Sequence, residues 1–299
     1  KDLSGQISAS SNFRNVTNPY SMVEMSHPSN KAERWVGNIS MDITPFKNLV
    51  FHSAVNFDHS YVMDKLYKDA YEYSSYDKSD LNYLQSSITR YNTMIYENTL
   101  TYNVSFGKHS LTAMIGQTTE EYNYYTLGGS GAAILNPTES NWYLKMTTEN
   151  KSYAGDNVDR NRLFSLLSRV HYSYADKYIL TLNARTDGSS KVGTNNKWAF
   201  FPSAAIAWNI KKESFMQDVN FIDQLKVRAS YGITGNQSIA AYSTLARFGT
   251  QAAVINGTVV NGFLPTEVAN DNLTWESTKQ TDIGLDLGLW NNRITVVAD

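Results

Sequence analysis

Apolar and polar side chains alternate with a period of two through much of this 299-residue sequence. Tyr178, Leu180 and Leu182 fall on one side of an extended chain, whereas Thr181 and Asn183 fall on the other. Successive side chains of a β-strand point to opposite faces, so this pattern predicts strands with one apolar face. The same alternation recurs in 35–44, 49–57, 100–106, 162–174, 203–210, 226–234 and 282–289.

The lengths of the strands and of their connections indicate a membrane barrel rather than a soluble β-protein. Several alternating segments run for roughly 9–13 residues, enough for a tilted strand to cross a bilayer, whereas soluble strands average about 5–6 residues. Outer-membrane barrels have short turns at one end and long loops at the other. The short connections are 45–48, 107–109, 175–177 and 291–292, and the long polar stretches are 62–89, 127–160 and 237–273. We predict an all-β fold, a partial antiparallel transmembrane β-barrel of about 10–11 strands.

Composition and motifs exclude several classes of function. The formal net charge of −2 gives no electrostatic reason to expect a nucleic-acid partner. Cysteine is absent, which excludes disulfides and thiolate metal sites. We find no H-E-x-x-H, P-loop or G-x-S-x-G motif, and the five histidines have no partner at ligand spacing. The sequence therefore predicts no catalytic, cofactor-binding or metal site.

Aromatic residues cluster beside the short connections. Amphipathic rings at one level are typical of the interfacial girdle of a membrane barrel, although ordinary hairpin packing would give the same pattern. The residues concerned are Phe46, Phe106, Tyr174, Tyr178 and Trp290. One further connection, 213–224, has apolar residues at helical spacing and Ser214 in a position to cap its start, which predicts one or two helical turns at the same end.

Three stretches of the second half resemble the SusC/RagA family of TonB-linked outer-membrane proteins from Bacteroidetes. They are 185–208, which contains Arg-Thr-Asp-Gly-Ser-Ser-Lys and Trp-Ala-Phe-Phe-Pro-Ser; 225–237, Leu-Lys-Val-Arg-Ala-Ser-Tyr-Gly-Ile-Thr-Gly-Asn-Gln; and 272–295, which begins Asn-Leu-Thr-Trp-Glu-Ser-Thr-Lys-Gln. The resemblance is specific from about residue 160 to the end, and residues 1–160 fit the barrel pattern without a specific motif.

The resemblance implies a bacterial outer-membrane transporter with a barrel of about 22 strands and an N-terminal plug. It also implies a SusD-like surface lipoprotein over the extracellular mouth, and import of glycans, oligosaccharides or peptides with energy from the TonB complex. We find no plug, TonB box or final barrel strand, so we expect residues 1–299 to be part of one barrel domain that contacts TonB through regions outside it. The alternative function is a secreted soluble β-sandwich that binds carbohydrate.

Two sets of residues are candidates for contact with a substrate. The basic residues Arg169, Arg185, Lys226 and Arg228 occupy the polar faces of predicted strands and are expected to face the lumen. They form either a patch for anionic substrate groups or a plug, or pairs with interior acids such as Asp282 and Asp286, and we favour the pairs. Aromatic rings in or beside the long loops can stack on sugar rings or pack against the loops or the lid: Tyr122, Tyr124, Tyr125, Trp142, Tyr143 and Tyr242.

Overall fold

Long β-strands make up most of the computed structural model, which describes residues 19–72 and 78–299. The strands are β1 (Ser26–Phe46), β2 (Leu49–Lys68), β3 (Tyr71–Glu72), β4 (Lys78–Ser79), β5 (Tyr83–Phe106), β6 (His109–Ile134), β7 (Thr147–Tyr174), β8 (Tyr178–Ser189), β9 (Trp198–Asn209), β10 (Ile222–Asn236), β11 (Arg247–Ile255), β12 (Thr258–Glu267), β13 (Glu276–Leu289) and β14 (Ile294–Ala298). The helices are α1 (Pro19–Glu24) and five 3₁₀ turns, Glu139–Asn141, Leu144–Met146, Thr194–Asn196, Ile210–Lys212 and Ser214–Met216.

Ten of these strands form a single sheet in the order β1-β2-β5-β6-β7-β8-β9-β10-β13-β14. The pairings from β7 to β14 that have a described register are all antiparallel. The two small sheets, β3–β4 and β11–β12, are insertions between neighbouring strands of the large one. The all-β class, the antiparallel arrangement and the strand count are therefore confirmed, and β1 and β14 are the edges of the described sheet.

The four predicted short connections are confirmed as tight turns. β1 and β2 meet at 47–48, β5 and β6 at 107–108, β7 and β8 at 175–177, and β13 and β14 at 290–293. The left-handed backbone that such turns need is adopted by Asn48, Gly107, Ala175, Asp176 and Asn291, with φ values of 73°, 57°, 52°, 53° and 57°.

Strands β5, β6 and β7 have 24, 26 and 28 residues and extend well beyond the roughly 9–13 residues over which the alternation is sustained. Much of the predicted loop 127–160 is strand, because β6 continues to Ile134 and β7 begins at Thr147. Tyr122, Tyr124 and Tyr125 lie within β6, beside the predicted loop rather than in it. The extension of β6 consists mainly of small residues, and Ala132 and Ile134 are each only 4% exposed, so it shows no apolar–polar alternation. Its backbone groups still pair with the neighbouring strands.

The predicted loop 237–273 contains the β11–β12 hairpin, which the alternation did not indicate. Its turn is Asn256-Gly257, with φ values of 50° and 79°. An Asn-Gly pair between two strands is the preferred sequence for a two-residue turn with both φ values positive. The Asn256-Gly257 pair in the sequence therefore indicates this hairpin, although the alternation does not.

The predicted helical segment 213–224 is helical only in its first part. A 3₁₀ turn spans Ser214–Met216, directly after another at Ile210–Lys212, and β10 already begins at Ile222. Ser214 does not cap the turn, because Glu213 holds the N-cap position and makes no side-chain capping bond.

The described residues divide into two units. One comprises 19–37, 57–72, 78–93 and 122–160, and the other comprises 38–56, 94–121 and 161–299. The first unit has a small apolar core of Tyr67, Leu84 and Ile134, against which Trp142 and Leu144 pack.

The second unit has one uncovered apolar face. Leu182, Ile206, Tyr231 and Ile283 lie on four adjacent strands and are exposed by 44%, 61%, 47% and 69%. A soluble sandwich would bury such a face against a second sheet, whereas these strands belong to one sheet. Lipid would remove this surface from water, and each large side chain that is buried contributes about 1.5–3 kcal/mol.

Candidate functional site in the barrel wall

A continuous row of aromatic rings lies beside the tight turns of the second unit. The Tyr178 ring stacks at 6.5 Å from Tyr174 and at 6.4 Å from Trp208, measured between ring centroids. His109 extends the row, at 4.9 Å from Tyr174 and 4.8 Å from Phe106. Three of the predicted girdle residues are thus in one contact chain.

The other two predicted girdle residues, Phe46 and Trp290, are exposed by 72% and 52%. Their exposure leaves both rings open to contact with the membrane interface, as the girdle hypothesis requires.

A second aromatic level lies farther along the same strands. Trp198 meets Phe164 edge to face, with the ring centroids 6.0 Å apart. Trp198 and Trp208 are both on β9, ten residues apart, which is about 33 Å along a strand. A strand tilted by about 40° converts that length to about 25 Å, the height of the apolar band between the two girdles of an outer-membrane barrel. The two tryptophans therefore bracket a segment of the right length to cross the membrane.

Glu213 joins the turn between β9 and β10 to the aromatic row. Its carboxylate accepts hydrogen bonds from the Tyr178 hydroxyl at 2.7 Å, from Lys177 Nζ at 3.0 Å and from Trp208 Nε1 at 3.1 Å. These bonds favour the ionised carboxylate, with Tyr178 the largest contributor, and lower the pKa of Glu213 to about 2. The carboxylate holds Tyr178 and Trp208 in fixed orientation at the level of the membrane interface.

Two of the four predicted basic residues share one acid. Asp286 lies 3.9 Å from Lys226 Nζ and 3.3 Å from Arg228 Nε. Arg228 also forms an ion pair with Asp299. Asp282 instead accepts hydrogen bonds from Ser230 and Gln280, at 3.3 and 3.1 Å. The charges on this face are thus neutralised mainly through Asp286.

The other two basic residues lie on neighbouring strands. Arg185 Nε contacts the carboxylate of Asp187 at 2.7 Å, and its guanidinium donates to Ser165 Oγ at 2.9 Å. Arg169 is exposed and lies opposite Asn183 in the β7–β8 ladder. Arg169 is the most exposed residue of the set, and within the described residues it forms no ion pair.

A cavity of about 400 Å³ lies beside the charged face of β10. His171, Thr181, Arg228, Ser230 and Asp282 contribute to its lining. His171 Nδ1 is within 2.9 Å of the Thr181 hydroxyl, which orients the imidazole toward the neighbouring strand. The lining therefore contains both a cation, Arg228, and an anion, Asp282, which suits the water-facing side of a barrel wall.

The candidate loop aromatics divide by their packing. Trp142 stacks on Tyr67 with centroids 4.5 Å apart and lies 5.8 Å from His27. Lys65 places its ammonium 4.8 Å from the centroid of the Tyr143 ring and donates to the Trp142 carbonyl. Trp142 is thus occupied by loop packing, whereas Tyr143 is 59% exposed.

The remaining candidate aromatics lie in β6 and in the turn before β11. Tyr124 packs at 5.2 Å from Tyr91, and Tyr125 lies under the guanidinium of Arg90 at 4.8 Å. Tyr122 is half-buried, and Tyr242 is 42% exposed with a φ of 64°.

Within residues 19–72 and 78–299, no helix is both long and apolar enough to cross a lipid bilayer. In the same ranges, no group of three or more His, Asp or Glu side chains is arranged to hold a metal ion.

A family model described as "TonB dependent receptor-like, beta-barrel" matches residues 3–299. The chain belongs to this family. Its relatives include TonB-dependent receptor P3 of Formosa agariphila, 45% identical over 209 residues, which are 68% of this chain and 20% of the relative. TonB-dependent receptor SusC of Bacteroides thetaiotaomicron is 30% identical over 296 residues, which are 95% of this chain and 28% of SusC. The chain therefore spans less than a third of these relatives' length.

Among solved structures, the RagAB peptide transporter is similar, with 25% identity and a TM-score of 0.82 over 92% of this chain and 30% of that one. The SusC and RagAB similarities confirm the resemblance to the SusC/RagA type. The chain is part of an outer-membrane β-barrel, and the secreted sandwich is not favoured. The family is one of receptors and transporters.

Proposed function

We propose that this chain forms part of the barrel wall of a TonB-dependent importer of glycans, oligosaccharides or peptides. The observation that carries the proposal is the two-sided sheet: an uncovered apolar face on one side and charge-paired polar residues on the other. Lipid accepts the first face, and a water-filled passage accepts the second. The similarity to a protein described as a peptide transporter supports import as the activity.

The four basic residues are assigned to the passage. Arg185 pairs with Asp187, and both Lys226 and Arg228 contact Asp286. These pairs reduce the net positive charge that the three residues present to the passage. Arg169 is exposed and is the residue of this set that meets a passing anionic group. Substrate contact by the aromatic candidates is assigned first to Tyr143, because it is 59% exposed and Tyr242 is 42% exposed.

The edges of the sheet point to further strands in the same barrel. An unpaired strand edge invites association with other chains, and closure of the barrel removes it. We assign the edges β1 and β14 to pairing with additional strands of one larger barrel, with TonB reached through regions outside this chain.

The β11–β12 hairpin is the proposed contact for a SusD-like lipoprotein. Phe248, Val254, Val259 and Phe263 lie on one face of it and are exposed by 63%, 69%, 67% and 79%. An isolated two-stranded hairpin is marginally stable in water. A partner that covers this apolar face would stabilise the hairpin, and a lipoprotein lid over the mouth is such a partner.

Import is tested by deletion of the gene in its native host, followed by uptake of labelled glycans and peptides. Deletion should abolish growth on one class of substrate, and collapse of the proton gradient should stop uptake by the intact strain. Unchanged uptake of every substrate after deletion would contradict the proposal.

The lid contact is tested by co-purification of the receptor from outer membranes. The double substitution Val254→Ser and Phe263→Ser should release the lipoprotein, because both residues lie on the apolar face. The control is Ala253→Ser with Val260→Ser, on the opposite face of the same hairpin. Equal retention of the lipoprotein by both variants would remove the hairpin from the interface.

A further inference from the structure

A second cavity, of about 290 Å³, lies within the first unit. Four strands contribute to its lining: β2 supplies His59, β5 supplies Arg90 and Asn92, β6 supplies Tyr125, and β7 supplies Arg160. These residues are far apart in sequence, so the sheet and not a local motif brings them together. The alternation of apolar residues gave no signal for this cavity.

The cavity carries positive charge that nothing in its lining neutralises. Asp and Glu are absent from the described residues that line it, whereas two arginines and a histidine are present. Within the described part of the chain, Arg90 and Arg160 take part in no ion pair. Arg34 in the same unit behaves differently, because its guanidinium makes two bonds to the Asp58 carboxylate, at 2.9 and 2.6 Å.

Arg90 lies against an aromatic ring that lines the same cavity. Its guanidinium carbon lies over the ring of Tyr125, 4.8 Å from the centroid. A guanidinium that stacks on a ring keeps the N–H groups at its edge free to bind a planar or tetrahedral anion with two parallel bonds. The ring therefore fixes Arg90 without consuming its capacity for anion binding.

The rest of the lining suits a saccharide. Asn92 and Asn123 supply amide donors and acceptors for hydroxyl groups, and the Tyr124 and Tyr125 rings supply aromatic surface. We infer that this cavity, here called the Arg90–Arg160 cavity, binds an anionic group carried by a saccharide: a uronate carboxylate, a sulfate ester or a sugar phosphate. Soluble glycans and the lipopolysaccharide around an outer-membrane barrel both carry such groups. For a transported glycan the inference rests on the proposed function, and for lipopolysaccharide it does not.

The test uses the protein expressed from its own gene and purified in detergent. A sulfated oligosaccharide and its desulfated form are titrated by calorimetry into the wild type, Arg90→Gln, Arg160→Gln and the control Arg34→Gln. The wild type should bind the sulfated form more tightly, and each cavity variant should lose roughly tenfold in affinity, because a charge-assisted hydrogen bond to the anion is removed. The control should keep the affinity of the wild type. Arg90→Lys should recover part of the loss, which a merely structural role for Arg90 does not predict.

A second arm separates the two sources. Native mass spectrometry of the same samples measures the lipopolysaccharide that remains bound to each. Retention by the wild type and loss in the cavity variants, without binding of the soluble saccharide, assigns the cavity to lipopolysaccharide. If the wild type binds neither, or the cavity variants bind as well as the wild type does, the inference is wrong. Substrate uptake by the unaltered strain is scored separately, so failure of the cavity assignment leaves the transport proposal standing.

Discussion

The Tyr178 hydroxyl donates a hydrogen bond of 2.7 Å to the carboxylate of Glu213, 35 residues farther along the chain. This bond ties the first residue of β8 to the turn between β9 and β10. With Lys177 and Trp208 as further donors, the turn is anchored to the aromatic row by one carboxylate.

Glu213 should make the stability of the barrel depend on pH in the acid range. Its pKa in the folded protein, about 2, is below the ordinary value of 4.5. A carboxylate whose pKa is lowered by folding stabilises the fold fully above its unfolded pKa. That stabilisation should be lost as the pH falls from about 4.5 toward about 2.

Thermal unfolding in detergent at pH 7 and pH 3 measures this effect. Glu213→Gln should lower the melting temperature at pH 7 and reduce the difference between the two pH values. Asp218→Asn is the matched control, because Asp218 is an exposed carboxylate in the same connection. Equal pH dependence in Glu213→Gln and the wild type would show that this carboxylate does not stabilise the fold.

A lysine on the lipid face should be far more destabilising than one on the opposite face. Ala204 shares its face with Trp198 and Trp208 and lies between them, paired with Leu182 and Tyr231. Near the middle of the membrane a lysine on the lipid side costs about 2–4 kcal/mol. Ala204→Lys should therefore lower the free energy of unfolding in lipid vesicles by that amount.

Ala205→Lys supplies the comparison for Ala204→Lys. Ala205 is the next residue and lines the cavity of about 400 Å³ on the other face, where a lysine can remain hydrated. Urea titration of both variants measures the difference. Similar losses at the two positions would argue against lipid contact by the face that carries Trp198 and Trp208.

Gly188 should be intolerant of any side chain. A Cβ atom there would lie 2.9 Å from the Trp198 ring, closer than ordinary contact allows. Gly188→Ala should displace Trp198 from its contact with Phe164 and lower the free energy of unfolding by about 1–3 kcal/mol. Gly262→Ala is the control, since its nearest neighbour would be 3.7 Å away. Denaturant unfolding of the two variants tests the prediction, and equal stability would refute it.

The β11–β12 hairpin should depend on Gly257. Its φ of 79° is a conformation that other residues adopt at a cost of about 1–2 kcal/mol. Gly257→Ala should therefore increase amide hydrogen exchange along both strands of the hairpin. Asn256→Gly keeps a permissive residue at the other turn position and should leave exchange near that of the wild type. If the two variants exchange at the same rate, the conformation of the turn does not determine the stability of the hairpin.

The strands of the second unit were predictable because lipid on one side and water on the other force the alternation that Tyr178, Leu180 and Leu182 display. The extension of β6 to Ile134 was not, since the run of small residues at 128–133 gives no apolar–polar alternation. The sequence predicted that Lys226 and Arg228 pair with acidic residues. It could not show that Asp286 and not Asp282 is their partner, because this depends on the register of β10 and β13.

The Arg90–Arg160 cavity could not be predicted from the sequence, because it too depends on strand register. His59, Arg90 and Arg160 become neighbours only when the register of several strands is known. The tie between Glu213 and Tyr178 crosses a turn and two strands, and no local spacing reports it.

The order of the strands also bears on how the barrel assembles. Most neighbouring strands of the sheet are also close in the sequence, so a short connection joins them. Each strand can therefore pair with the preceding one with little loss of chain entropy. The pairing of β10 with β13 is the largest departure, because 237–275 must close between them, at an extra cost on the order of 2 kcal/mol relative to a tight turn. The sheet can therefore grow from β1 to β10 through short closures, and the pairing of β13 with β10 is the step that closes the longest connection.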